Sequence, residues 1–510
     1  MSYVLGIDVS TTATKAVLVD EDGGVAATAV GEYELQMPQP LWSEQEPEVW
    51  WEAARTAIQG AMSIAGATSE DVIAVGLTGQ MHGLVLLDSN HKVLRPAILW
   101  NDQRTSAECD EIRHRIGRER LIAITGNDAV AGLTAPKIQW VRNNEPDLYG
   151  RIAQMLLPKD YVRFRLTELY ATDKAGAGGT LLMDLTRRDW SPEILDALEI
   201  DPALLPPTHE GPVATGVITA AAAVATGLAA GTPVVAGAGD QAANAVGTGA
   251  VGQGVFALSL GTSGVVFVST EQPRYDPEGR LHAFPHAIPD RWHLMGVMLS
   301  AAGSFRWFRD TFAPGREYDE LTGAAASIGP GAEGLTFLPY LTGERTPHPD
   351  PLARGAFVGL SLRHNLDHLT RAVLEGVAFG LKDILDLMTA SGAQHPDQIR
   401  ASGGGIRSSL WRQILADVLG AEIATVTTPE GAAFGAAMLA AVSAGWHADV
   451  DAVATAWVTI GDVTAPGSDV DRYHELHGRY QRLYPALQPW FMEVGLELDS
   501  VGRSGSDQDN

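Results

Sequence analysis

The chain has 510 residues, 45% of them apolar and 19% charged, which is too long for one hydrophobic core and too apolar for a disordered or fibrous class. Its 62 acidic and 36 basic residues leave a formal charge of −26, with no basic run to reverse it locally, so nucleic acid and anionic membrane are excluded as expected partners. One cysteine, Cys109, rules out an intrachain disulfide and points to a reducing compartment, with the cytoplasm as the default.

The opening "MSYVLGIDVS" lacks the basic stretch and apolar core of a signal peptide and reads as a first strand. "YVLGID" enters the polar loop "VSTTAT" and leaves through "KAVLVD" to the turn "EDGG", which predicts a β-hairpin around a Ser/Thr loop. A helix over "PEVWWEAARTAIQGAM" and strands over "VIAVGLTG" and "GLVLLD" follow. "GQMHG" and "LWNDQRT" then cluster Gln80, His82, Asn101, Asp102 and Arg104 on loops, a donor and acceptor set suited to a polyhydroxylated ligand. His82 taken alone is more often a satisfied structural histidine. The stretch "TAAAAVATGLAAGTPVVAGAG" is weakly polar but interrupted by Gly, Thr and Pro, so no membrane span is expected there. Directly after it, "DQAANAVG" places Asp240 behind small residues. An aspartate there suits a helix N-cap. With glycines leaving room for a substrate, it also suits a base that takes a hydroxyl proton during attack on a phosphoryl group.

"GTGAVG" at 247–252 matches a dinucleotide pattern, but it follows a helix-like run where that fingerprint needs a strand. Next, "VFALSL", "GTSG" and "VVFVST" repeat the first hairpin. Gly261, Thr262 and Ser263 align with Ser10, Thr11 and Thr12, and Ser259 aligns with Asp8, so the chain reads as two related halves of which the first alone kept the carboxylate. Loops of this kind are ordinary hairpin turns or backbone N–H cradles for phosphate; no Gly-Lys pair occurs, which excludes the mononucleotide P-loop. Asp8, at a strand end, is a turn residue or a carboxylate placed to hold hydrated Mg²⁺. His282, His286 and His293 in "HAFPHAIPDRWH" fit no familiar zinc spacing. "LDHLTRAVLEGVAFGLKDILDLM" and "SSLWRQILADVLG" carry apolar residues at helical spacing. Gly403, Gly404 and Gly405 precede the second of these, either to meet a positive φ or to let a flat base or ribose approach. Strands alternating with helices predict an α/β fold with mixed sheets, a boundary near 245–256, and a disordered polar tail over "GRSGSDQDN".

Several blocks in order carry a resemblance to a known family: "PLWSEQEPEVWW", "GQMHG", "RPAILWND", "GLTAPKIQWVRNN", "LLPKDYVRFRLT", "LSLGTSG", "LPYLTGERTPH" and "GAFVGLSLRHNLDHLTRAVLE". Over nearly its whole length the chain resembles the FGGY carbohydrate kinases, most closely the branch that phosphorylates xylulose. The resemblance implies two actin-like (ribonuclease H-like) α/β domains with a cleft between them, over 1–248 and 249–490, and a tail over 491–510. It implies ATP and Mg²⁺, with the phosphates between the two hairpin loops and closure promoted by sugar. Asp240 is then the base that takes the 5-hydroxyl proton of D-xylulose, and Asp8 with Asp240 attends the metal. Gln80, Met81, His82, Trp100, Asn101, Asp102, Arg104, Asp240 and Gln241 are implied for the sugar. Ser10, Thr11, Thr12, Lys15, Gly261, Thr262, Ser263, Gly303, Gly403, Gly404 and Gly405 are implied for the nucleotide. A homodimer is a further expectation from the family. Two positions depart from the family pattern: Ser10 where a glycine is usual, and Gln241 where asparagine is frequent. The competing expectations are a kinase for ribulose, arabitol or another pentitol, or glycerol; an actin-like ATPase; and a sugar sensor without turnover.

Overall fold

The computed structural model describes residues 1–427 and 431–505, with side chains through residue 495. The expected tail falls partly inside this range: a helix, Leu483–Gly505, covers most of it, and 506–510 lie outside the described residues. The chain forms two compact units. The first takes 1–252 together with 269–294 and 427–459, and the second takes 253–268, 295–426 and the residues from 460 onward. Two segments that the sequence reading assigned to the second domain thus pack with the first unit.

The first unit is built on a mixed sheet. Strands β1 (Tyr3–Val9) and β2 (Ala13–Asp20) form the expected hairpin, and β3 (Val25–Glu32) extends it antiparallel. Helix α1 (Pro47–Ala65) packs on β2 and β3, burying Trp50, Ala54 and Ile58, and β4 (Val72–Gly79) then lies parallel to β1. Further along come α2 (Thr134–Asn144), α3 (Pro158–Thr167) and the short α4 (Lys174–Gly178). Strand β5 (Ala214–Val217) pairs antiparallel with β6 (Pro233–Val235); β6 and β7 (Ala238–Gly239) both run parallel to β4. Helix α5 (Asp240–Gly247) starts directly off β7. Apart from Asp8 near its end, the first hairpin strand carries no charged side chain, because both its faces are covered, the situation that removes polar alternation from strands. Part of that cover is the helix Gly431–Ser443, "GAAFGAAMLAAVS", which packs on β1, β4 and α5 and is apolar all round. Glycines let it sit directly on the sheet: a Cβ on Gly6 would stand 2.0 Å from the Ala433 carbonyl oxygen, and one on Gly76 2.0 Å from that of Ala436.

The second unit repeats this plan. Strands β8 (Val255–Leu260) and β9 (Gly264–Thr270) form a hairpin. Helices α6 (Ala302–Phe312) and α7 (Leu366–Ala390) precede β10 (Gln398–Ser402), which lies parallel to β8 as β4 lies parallel to β1. Then α8 (Ser409–Leu419) leads to β11 (Glu422–Val426), parallel to β10, and β12 (Ile460–Thr464) pairs antiparallel with β11. Phe256, Leu258, Ile399, Trp411 and Leu415 are among its buried core. The registers make the duplication explicit. Asp8 sits opposite Lys15 and beside Thr78, and Ser259 sits opposite Val265 and beside Ser402. Among the described residues no helix is long and apolar enough to cross a membrane. Cys109 is buried as a free thiol.

Candidate active site

Three parallel strands of the first unit end together. Asp8 is level with Thr78 and Val9 with Gly79 across β1 and β4; Ala238 and Gly239 of β7 are level with the same two residues from the other side. Ligands of open α/β sheets gather at the carboxyl ends of such strands, and two of the three deliver a carboxylate there. Asp240 is the first residue of α5, with Gly239 rather than Asp240 in the N-cap position. Its Oδ1 accepts from the backbone N–H of Gln241 at 2.8 Å. Burial, reinforced by the negative charge of Asp8, pushes the Asp240 carboxyl up to about 7. Burial likewise pushes Asp8 up to about 6, against the opposing pull of Lys15. The N-cap reading of Asp240 therefore gives way to a poised carboxyl beside a second one.

Small residues shape the floor. A Cβ on Gly239 would stand 2.6 Å from Met81 Sδ, and one on Gly179 would stand 2.6 Å from His82 Nδ1 and 2.8 Å from Met81 Cε. Met81 is buried between them. His82 takes a left-handed backbone, φ 71°, and its Nδ1 lies 2.7 Å from the Gly179 carbonyl oxygen. A carbonyl only accepts, so Nδ1 carries the hydrogen. Gln80 donates its backbone N–H to Val9 at 2.9 Å and its Nε2 to the Ser10 carbonyl at 3.3 Å. Trp100 Nε1 donates to Thr11 Oγ1 at 3.0 Å, which ties the 99–105 loop to the first hairpin turn. Three enclosed acceptors of this region have no hydrogen-bond partner: Asp8 Oδ1, Gln80 Oε1 and Asn101 Oδ1. Buried acceptors in native proteins are nearly always paired, so among the described residues these three are open to donors from water or a ligand.

Asp102 and Arg104, expected at the sugar, are engaged with each other and with neighbouring residues. Both Asp102 oxygens are taken, by the Ser43 N–H at 2.7 Å and by the backbone and guanidinium of Arg104, and Asp102 is 0% exposed. Arg104 also pairs with Glu44 at 2.7 Å and stacks on Trp42, 3.6 Å from its ring centre. The pair braces the loop that carries Trp100 and Asn101, and both side chains are buried. Ser10 is also spent locally: its Oγ donates to Ala13 at 2.7 Å and closes its own turn. Lys15 faces Asp8 across the hairpin, and Thr11 and Thr12 occupy the turn.

The second unit holds a separate cavity of about 600 Å³. Its walls bring together Gly261 and Thr262 of the second hairpin turn, Gly303 and Phe305 of α6, Tyr318, Gly404, Gly405 and Trp411. Phe305 lies 5.3 Å from Tyr318 and 5.8 Å from Trp411, ring to ring. The turn leans on the start of α6: Ala302 donates to the Gly261 carbonyl at 2.9 Å, and Gly303 to that of Thr262 at 3.1 Å. A Cβ on Gly303 would stand 2.8 Å from that same Thr262 oxygen, so the close approach of turn and helix accounts for this glycine. Gly403 has φ 97°, and a Cβ there would be 2.5 Å from the Leu260 carbonyl oxygen; open space surrounds Gly404. Ser263 completes the turn beside Gly261, whose N–H donates to it at 3.0 Å. Phe305, Arg306, Tyr318 and Asp319 line this cavity without having been expected from the sequence, because they come from two helices that no motif connects.

The remaining histidines behave as core. His282 Nδ1 bonds Asn127 at 3.1 Å, and Phe284 lies between the rings of His282 and His293. Burial pushes His293 down to about 3 and His286 well below its ordinary range. The three do not converge as ligands; the group of this kind among the described residues is Asp383, Asp386 and His477. "GTGAVG" follows α5 as a turn, without a preceding strand.

The family comparison now decides the class. Residues 3–247 match the model of the FGGY family of carbohydrate kinases, N-terminal domain, and residues 256–444 match its C-terminal domain. This chain belongs to the FGGY carbohydrate kinases. It is 44% identical over 441 residues to the xylulose kinase of Escherichia coli K12, covering 86% of this chain and 90% of that protein. To the xylulose kinase of Lactococcus lactis it is 39% identical over 487 residues, 95% and 97% of the two chains. The crystal structure of xylulose kinase from Rhodospirillum rubrum superimposes with a TM-score of 0.90 at 33% identity, covering 96% of this chain and all of that one.

Proposed function

We propose that this FGGY kinase transfers the γ-phosphoryl group of ATP to the 5-hydroxyl of D-xylulose, giving D-xylulose 5-phosphate and ADP. The observation that carries the reading is Asp240, a carboxyl held near neutrality at the head of α5 beside orphaned acceptors; xylulose kinases that match most of the chain support it. A base whose pKa lies near the working pH is both ionised and strong enough to take a hydroxyl proton. In the step, the sugar oxygen forms a bond to the γ-phosphorus, the bond from that phosphorus to the β–γ bridging oxygen breaks with its electrons going to ADP, and the sugar proton passes to Asp240. Gln80 Oε1, Asn101 Oδ1 and the His82 imidazole orient the polyol, Met81 supplies an apolar floor, and Gln241 stands next to the base.

The cavity of the second unit takes the nucleotide, its aromatic wall of Phe305, Tyr318 and Trp411 suiting the base and its Gly403–Gly405 backbone the ribose. Gly261–Ser263 and the start of α6 suit phosphate, as do Ser10–Thr12 and Lys15 within the first unit. A divalent cation fits the donor set: Asp8 offers a hard, partnerless carboxylate oxygen. Asp8, with Asp240 nearby, would hold Mg²⁺, which supplies neutralisation of phosphate charge when bound.

The test is coupled ADP release with MgATP across D-xylulose, D-ribulose, L-ribulose, D-arabitol, xylitol, gluconate and glycerol, with the no-sugar rate as baseline. D-xylulose leads, and the no-sugar rate falls at least about 100-fold below it, since a site that excludes water wastes little ATP. Another sugar in the lead overturns the substrate assignment; equal rates with and without sugar overturn the kinase reading.

A further inference from the structure

His82 pays for its place with an uncommon backbone, because a left-handed conformation in a residue with a Cβ persists only where its surroundings impose it. The surroundings here are two donors from α2. Thr134 Oγ1 and Lys137 Nζ both donate to the His82 carbonyl oxygen, each at 3.1 Å. Lys137 Nζ also donates to the Gly132 carbonyl and, at 3.1 Å, to that of Leu133. The ammonium is 0% exposed and has no carboxylate within hydrogen-bond reach among the described residues; its three contacts are three backbone carbonyls. Fixing an ordinary loop does not need a buried charge, since an apolar side chain fills the same volume at less cost.

We propose that Lys137 is a positioning residue for sugar recognition: by clamping the His82 carbonyl to the start of α2 it sets the left-handed turn that aims the His82 imidazole and seats Met81. Two clamps then define the ring from opposite ends, Lys137 on the backbone and the Gly179 carbonyl on Nδ1. The proposal rests on the sugar-kinase reading but not on the identity of the sugar. Three donors serve three carbonyls only while the amine is an ammonium. Burial pushes Lys137 down to about 7, against the pull of Asp102 and Cys109 and with the push of Arg104, the charged and titratable groups that face it. The clamp therefore loses a donor as pH rises through neutrality.

The test is Lys137→Met in the full chain, assayed with whichever sugar the parent turns over fastest, so that a wrong sugar assignment leaves it intact and a parent that uses no sugar condemns the function reading instead. The sugar KM rises about 10-fold or more while the ATP KM stays within about 2-fold, the pattern of lost ground-state positioning at one subsite. The ratio of variant to parent sugar KM is larger at pH 6 than at pH 8.5, a trend that packing damage does not produce. Thr134→Val, which removes the second donor to the same carbonyl, raises the sugar KM about 3-fold in the same direction and serves if Lys137→Met fails to fold. An unchanged sugar KM in the variant that folds, or equal rises in both KM values, overturns the proposal.

Discussion

In the proposed reaction Asp240 is the base, and its shifted proton affinity has consequences for both rate and stability. Acting as base, it must be ionised, so kcat/KM for the sugar falls tenfold per pH unit below about 7. A flat profile between pH 5.5 and 7 would sink that role. Asp240→Asn lowers kcat by about 10²–10⁴ while nucleotide binding survives, measured by ADP release and by nucleotide titration. The folded carboxyl keeps its proton up to about 7, whereas an unfolded aspartate releases it near 3.8. Stability from this group is thus complete below 3.8 and drains away as pH rises through about 7. The asparagine variant, free of that penalty, melts higher than the parent at pH 8 and no higher at pH 4, which differential scanning calorimetry reads directly. Asp240 was legible because small residues on its N-terminal side and a helix on its C-terminal side leave a lone carboxylate conspicuous. The ion pair of Asp102 and Arg104 was not legible, for the opposite reason. Their partners Ser43, Glu44 and Trp42 lie some 60 residues upstream, and no local pattern announces a saturated ion pair.

Among elements, the two hairpins were the most readable feature, since alternation of short apolar runs around a Ser/Thr/Gly turn survives duplication even where the carboxylate does not. The structure adds a parallel strand to each: β4 beside β1 and β10 beside β8. Each ends in a position that tolerates no side chain. Gly79 at the end of β4 faces Val9, and Gly403 after β10 faces Leu260. At Gly403 a Cβ meets both a positive φ and a carbonyl oxygen 2.5 Å away. Gly403→Ala is expected to destabilise by about 1–3 kcal/mol and to raise the ATP KM more than the sugar KM. Equal KM values with a lowered melting temperature would confine Gly403 to a structural role. The cavity proposed for the nucleotide was half legible. Its glycines stand out in the sequence, whereas Phe305 and Tyr318 look like any core aromatics until two helices bring them together.

At the scale of the whole molecule, the sequence reading placed a single cut near residue 248, and the contacts divide the chain differently. An alanine-rich segment past residue 430 carries no signal for which sheet it will cover, because hydrophobic periodicity reports burial and not address. The helix Gly431–Ser443 covers β1, β4 and α5, so the half of the chain that carries Asp8 and Asp240 lacks a layer until that helix docks. A chain ending at residue 426 is expected to melt without a cooperative transition and to expose apolar surface to a hydrophobic dye. A sharp, reversible melt from that fragment would contradict the packing described.

Synthesis on the ribosome therefore sets an order of events for this protein. The first unit is translated first yet completed last, because 196 residues separate the end of α5 at Gly247 from the end of its closing helix at Ser443. At about 5–20 residues per second the nascent sheet waits roughly 10–40 s with part of its apolar face unshielded. The second unit has most of its strands out of the tunnel before that wait is over, so the exposure falls on the half that carries Asp8 and Asp240, and chaperone engagement is expected in that interval.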